Sequence, residues 1–126
     1  MTEAMAAKRK TGLRGVVAAG FAVVVMVAAG CRSTPPPTPL AQLNAQQAHG
    51  HVVFETQCGA CHYDRVDRPL HGPAMAGLYK RPALPSGAPA NDERVTAVIE
   101  HGRNMMPAIA VAPGDLNDLL AYLHTI

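Results

Sequence analysis

A chain of 126 residues that is 48 % apolar, 16 % charged and 4 % aromatic, with no Trp, has room for one small domain and few large side chains with which to stabilise it. Eleven Lys and Arg against nine Asp and Glu give a formal +2, but residues 1–30 hold four of the bases and one acid, leaving seven bases and eight acids beyond them. A foldable part near −1 argues against a nucleic-acid binder, whose domain is basic, and a thin core points to a prosthetic group, metal or disulfide within the fold.

Residues 1–30 open with Lys8, Arg9, Lys10 and Arg14 and continue as GVVAAGFAVVVMVAAG, the basic-then-apolar layout of a secretory signal peptide. The apolar run of 16 residues is shorter than the roughly 20 that a membrane-spanning helix needs. Export is therefore expected, with a retained, uncleaved helix anchor as the alternative. Cys31 follows Val27-Ala28-Ala29-Gly30 directly. This resembles the lipobox of bacterial lipoproteins, with Ala28 where Leu is usual, and implies a lipid on Cys31 and a place on the periplasmic face of a bacterial membrane. With the other two of three Cys in a CxxC pair, Cys31 has no disulfide partner, and lipidation accounts for the spare thiol. Residues 31–47 carry Pro35, Pro36, Pro37 and Pro39 and read as an extended linker, about 3.1 Å per residue, ahead of a domain expected over 48–126.

Cys58-Gly59-Ala60-Cys61-His62 is CxxCH, which reads as the attachment site of a c-type haem. Two thiols three apart reach the two vinyl groups of one macrocycle, and the adjoining imidazole is then held under the iron as an axial ligand. A thioredoxin-like redox pair needs a βαβ pattern that this sequence does not offer. A zinc site needs a second CxxC or HxxxH, and none follows. A plain Cys58–Cys61 disulfide is the remaining alternative. The single CxxCH implies one covalent haem c and one electron carried at a time. Further along, Asn91–His101 place Val95, Val98 and Ile99 at i, i+3 and i+4 between a capping Asn91 and a terminating Gly102, which predicts a helix. A second helix is predicted over Asp115–Thr125, where Leu116, Leu119, Leu120 and Leu123 share a face. Met105, Met106 and Pro107 fall on the loop between them.

Over about residues 45–126 the chain resembles the class I c-type cytochromes, small mono-haem electron carriers. The residues that carry the likeness are CxxCH, Gly50 and Phe54 ahead of it, Leu119 and Tyr122 near the end, Met106-Pro107, and the stretch His71 to Arg81, which is similar to GPxLxGLxxR. The resemblance implies an all-α fold of about four short helices around one haem, the first and last crossing at Gly50, Phe54, Leu119 and Tyr122. It also implies that the Pro73 carbonyl accepts the N–H of His62, that Arg81 lies near a haem propionate with Tyr79 close by, and that Met106 is the sixth ligand. Other readings stay open: Arg81 as a solvated charge, Met105 or Met106 as core filling, and Met105, His101 or His71 as the ligand. His49, His51 and His124 read as surface residues.

A haem ligated by His and Met has no open coordination position and takes no small-molecule substrate, and a thioether favours ferrous iron. The expectation is therefore a non-enzymatic relay of single electrons between redox proteins at the membrane. The alternatives are a haem subunit of a larger dehydrogenase or oxidase complex, and a ligand-binding haem sensor or enzyme with a displaceable sixth ligand. Replacing Cys31 by Ser tests the anchor: the protein is expected to move from the membrane to the soluble fraction, whereas continued membrane binding would mean an uncleaved helix.

Overall fold

Two asparagines open two of the helices. Asn44 accepts the Gln47 backbone N–H at 2.8 Å while the Gln47 side chain accepts the Asn44 N–H at 3.0 Å, so the first orphan donors are satisfied reciprocally. Asn91 accepts the Arg94 N–H at 2.9 Å, and Asp92 and Glu93 then occupy the positive end of that helix. The computed structural model describes residues 34–126, in which these signals begin α1 (Ala45–Gln57) and α2 (Asp92–His101), followed by α3 (Pro113–Leu123). Residues 1–30, expected to be a signal peptide, and Cys31 lie outside the described residues. Among the described residues no helix is long and apolar enough to cross a membrane.

The expected all-α architecture is present, with three α-helices and two 3-10 turns, Leu40–Gln42 and Leu78–Lys80, among the described residues. The stretch between α1 and α2 adds only the second of these turns, because Pro69, Pro73, Pro82, Pro85 and Pro89 interrupt any longer helical hydrogen-bond ladder. The last helix starts two residues earlier than its apolar pattern suggests and ends at Leu123. Pro113 opens it because the missing N–H of a proline costs nothing at the first helical position.

α1 and α3 cross in backbone contact. A Cβ on Gly50 would overlap the Asp118 carbonyl oxygen and lie 2.8 Å from Tyr122 Cβ. Beside it, Phe54 meets Tyr122 edge to face with centroids 6.0 Å apart, the favourable arrangement for two aromatic quadrupoles. Leu119 and Tyr122 are 0 % exposed, and Val53, Leu78, Val95, Ile99, Leu116, Leu123 and Ile126 complete the core. The crossing has polar flanks. His49 Nδ1 lies 2.8 Å from Asp118 Oδ2, and His51 packs its ring 5.0 Å from that of Tyr122.

Of the three histidines read as surface residues, His49 and His124 are exposed, His124 also stacking on Tyr79 at 3.8 Å and lying 2.8 Å from Asp92 Oδ1, whereas His51 has a side chain only 17 % exposed. The proline-rich segment is also tied down. Thr38 donates its N–H to the Thr125 carbonyl at 2.8 Å and accepts from Arg65 Nη2 at 2.6 Å, so the folded unit begins at Thr34, well before residue 48. The part of the spacer from Thr34 onward is therefore held against the domain.

Gly50→Ala sets a methyl group against main chain that has no rotamer by which to yield. It is expected to destabilise the domain by at least about 3 kcal/mol in denaturant unfolding. Gly114→Ala, in open space within the first turn of α3, is expected to stabilise it by about 0.5 kcal/mol.

Candidate functional site

The CxxCH segment begins where α1 ends. Cys58 and Gly59 both donate to the Phe54 carbonyl, at 2.8 and 2.9 Å, and Cys61 and His62 both donate to the Cys58 carbonyl at 3.0 Å. The five residues therefore turn tightly off the helix, with their main chain anchored to a buried aromatic residue. Cys58 and Cys61 are both present as free thiols. Cys58 is half-buried and Cys61 exposed. Burial, with a smaller contribution from the neighbouring Cys61, pushes the Cys58 thiol up to about 11, so it is protonated at neutral pH.

The imidazole of His62 is fixed from two sides. Its Nδ1 lies 2.8 Å from the Pro73 carbonyl oxygen, as the resemblance implies. A carbonyl only accepts, so the proton sits on Nδ1 and the lone pair on Nε2, the arrangement that makes Nε2 a metal donor. Gly72 then closes the cradle: a Cβ there would overlap His62 Cε1 and lie 2.7 Å from Nδ1. The loop holding Gly72 and Pro73 is stitched to the motif, since Gly72 donates to the Cys61 carbonyl and Met75 to that of Tyr63, both at 2.8 Å.

Arg81, expected near a propionate or in solvent, binds its own loop. Its Nη2 donates to the Ala76 carbonyl at 2.7 Å and to Asp67 Oδ1 at 2.8 Å, which makes it a tie across residues 67–81. Tyr79 packs against the core with its hydroxyl buried and without a hydrogen-bond partner. Burial pushes that phenol well above its ordinary range.

The Met106 loop folds back on the end of α2. Arg103 and Met106 exchange both main-chain hydrogen bonds at 2.9 Å, closing a two-residue turn with Asn104 at φ 53°. Gly102, at φ +72°, would bring a Cβ within 2.6 Å of the Met106 carbonyl oxygen, so only glycine suits both the dihedral and the space. Ile109 N–H reaches the Ile99 carbonyl at 2.8 Å and pins the far end of the loop. The two methionines separate: Met105 is 97 % exposed at the tip, whereas Met106 is half-buried against the core. His71 and His101 are exposed.

The residues present suit a covalently held haem. Two free thiols stand at the CxxCH spacing, one imidazole has its Nε2 lone pair set free by Pro73, and one thioether is held against the core. Met75, Leu84, Ile109 and Val111, like Met106, are partly buried against the core. Cys58, Cys61 and His62 adjoin along the chain and Pro73 is brought to them by a hydrogen bond, while Arg81 closes its own loop. The sequence reading missed Gly72 as a steric cradle and Gly102 as the hinge of the Met106 loop. A glycine just before Pro73 and another ending α2 were visible, but their close neighbours were not. Gly72→Ala is expected to displace the imidazole and lower covalent haem content several-fold, read as haem stain per chain on a denaturing gel.

No curated protein matches the chain at a significant level. One family model, described as cytochrome c oxidase, cbb3-type, subunit III, matches residues 45–123, which runs from the first residue of α1 to the last of α3. More than half of the chain is covered, including the whole segment whose geometry suits haem. The chain is a c-type cytochrome, with haem-based electron transfer as its chemistry, and it belongs to the family described as cytochrome c oxidase, cbb3-type, subunit III.

Proposed function

We propose that this protein is a membrane-tethered class I mono-haem cytochrome that passes single electrons between redox proteins. The observation that carries the reading is the His62 imidazole, clamped by Gly72 and bonded through Nδ1 to Pro73, one residue after a pair of free thiols. In this reading Cys58 and Cys61 would hold the haem as thioethers, and His62 and Met106 would ligate its iron. The haem, when bound, would supply an iron that changes charge by one electron. The protein's own residues do the rest. Pro73 keeps the proton on Nδ1, and the Gly102 turn holds Met106 against the core. Nothing in this set of roles requires a proton relay or a substrate pocket, in keeping with a carrier rather than an enzyme.

Placement follows the N-terminal sequence. Removal of residues 1–30 and lipidation of Cys31 would leave the domain on the periplasmic face of a bacterial membrane, where only membrane-associated donors and acceptors are within reach. A second reading is favoured by the family description, which names a subunit of an oxidase: the chain is then a haem subunit held within a larger complex. Detergent extraction separates the two, since a free carrier elutes as a small particle and a subunit co-elutes with haem-containing partners.

The ligand assignment is tested by spectra of ferric and ferrous protein with and without carbon monoxide. The wild type is expected to be low-spin, to show the weak far-red ferric band of sulfur ligation and to ignore carbon monoxide. Met106→Ala is expected to keep covalent haem, lose that band and bind carbon monoxide within seconds, whereas Met105→Ala behaves as wild type. A Met106→Ala spectrum identical to wild type would move the ligand elsewhere.

A further inference from the structure

One buried polar contact next to the motif has no part in the ligand set. The Tyr122 hydroxyl donates to Asp64 Oδ2, joining α3 to the segment that carries His62. Asp64 lies two residues after His62, so their Cα atoms are within about 7 Å whatever the path between them. Its side chain is only 20 % exposed, and Tyr122 is fully buried. Charge placed there is screened less by solvent and salt than a surface carboxylate would be. The other groups facing Asp64 are His51, with Nε2 at 3.7 Å, and its chain neighbour Arg65. Arg65 gives Nη2 to the Thr38 carbonyl while its Nη1 is buried and unpartnered. Glu55 lies 3.5 Å from His51 on the same helix.

The Tyr122 ring and its hydroxyl serve separate purposes. The ring fills the α1–α3 crossing against Gly50 and Phe54, and a phenylalanine would fill it equally well. The hydroxyl adds no apolar contact. It donates to the Asp64 carboxylate, two residues after His62. Burial, reinforced by Asp64 and opposed by the Arg65 cation, pushes this phenol far above its ordinary range, so it remains a donor at every working pH.

We propose that Tyr122 and Asp64 form a charge-tuning pair for the haem iron, in which Asp64 supplies a nearby negative charge and the Tyr122 hydroxyl partly disperses it. The proposal rests on His62 being an axial ligand. A negative charge near the iron favours the ferric state, which carries one more positive charge, and so lowers the reduction potential. Asp64→Asn removes the charge and raises the potential. Tyr122→Phe leaves the charge in place without its donor and lowers the potential. The two single changes therefore act in opposite directions. In the double variant the hydroxyl has no charge left to disperse, so the effects are not additive and the potential follows that of Asp64→Asn. A merely structural latch would instead lower the unfolding midpoint of both variants and move the potentials together or not at all.

The experiment is a potentiometric titration of the intact haem-loaded protein and the three variants at one fixed pH and ionic strength, with thermal unfolding in parallel. Shifts of opposite sign in the single variants and a double variant matching Asp64→Asn support the pair. Unchanged potentials, or shifts of the same sign, overturn it while leaving the haem assignment intact. A wild-type chain that takes up no haem overturns both.

Discussion

The backbone contact between α1 and α3 at Gly50 is the constraint on which the other geometry depends. Without a side chain at residue 50 the two helices meet main chain to side-chain root, and Phe54, Leu119 and Tyr122 close over the contact. That crossing fixes the end of α1. The end of α1 in turn fixes Cys58, whose N–H and that of Gly59 converge on the Phe54 carbonyl. A residue buried for packing thus also sets the direction in which the thiols and His62 leave the helix. With no Trp and a core drawn from few large side chains, the domain depends on this one contact more than a larger protein would.

The two residues proposed as iron ligands are held by two different devices. His62 is placed by chain proximity and then oriented by the Pro73 carbonyl and the Gly72 cradle. Met106 is distant in sequence and relies on a loop whose dihedrals admit little choice, with Gly102 and Asn104 both at positive φ. Orientation at His62 comes from sterics and one hydrogen bond, whereas position at Met106 comes from main-chain closure. In the proposed reading, damage to the first would alter attachment, and damage to the second would open the iron while leaving attachment in place.

Local signals in the sequence were direct where one element decides the outcome. The caps at Asn91 and Gly102, the CxxCH turn and the apolar face of α3 depend on residues a few positions apart, and each appears where its pattern places it. The Gly50–Tyr122 crossing was legible through the family likeness, because the spacing of small and aromatic residues is part of that pattern. What the chain alone did not show were contacts between distant segments: Thr38 on Thr125 and Arg65, Arg81 on Asp67, His51 beside Tyr122. Polar residues of this kind give no periodic signal, and composition alone makes Pro35 to Pro39 look like free linker. Met105 and Met106 likewise share one sequence context, and only the turn at Asn104 sends one to solvent and the other to the core.

One haem attached at Cys58, Cys61 and His62 is what the proposed electron transfer depends on. The most direct test is the intact mass of the denatured protein beside that of a Cys58→Ala/Cys61→Ala variant. The expected result is one haem mass per wild-type chain, surviving denaturation, and none on the variant. A wild-type mass equal to that of the bare polypeptide, or lower by two hydrogens as in a Cys58–Cys61 disulfide, would contradict it.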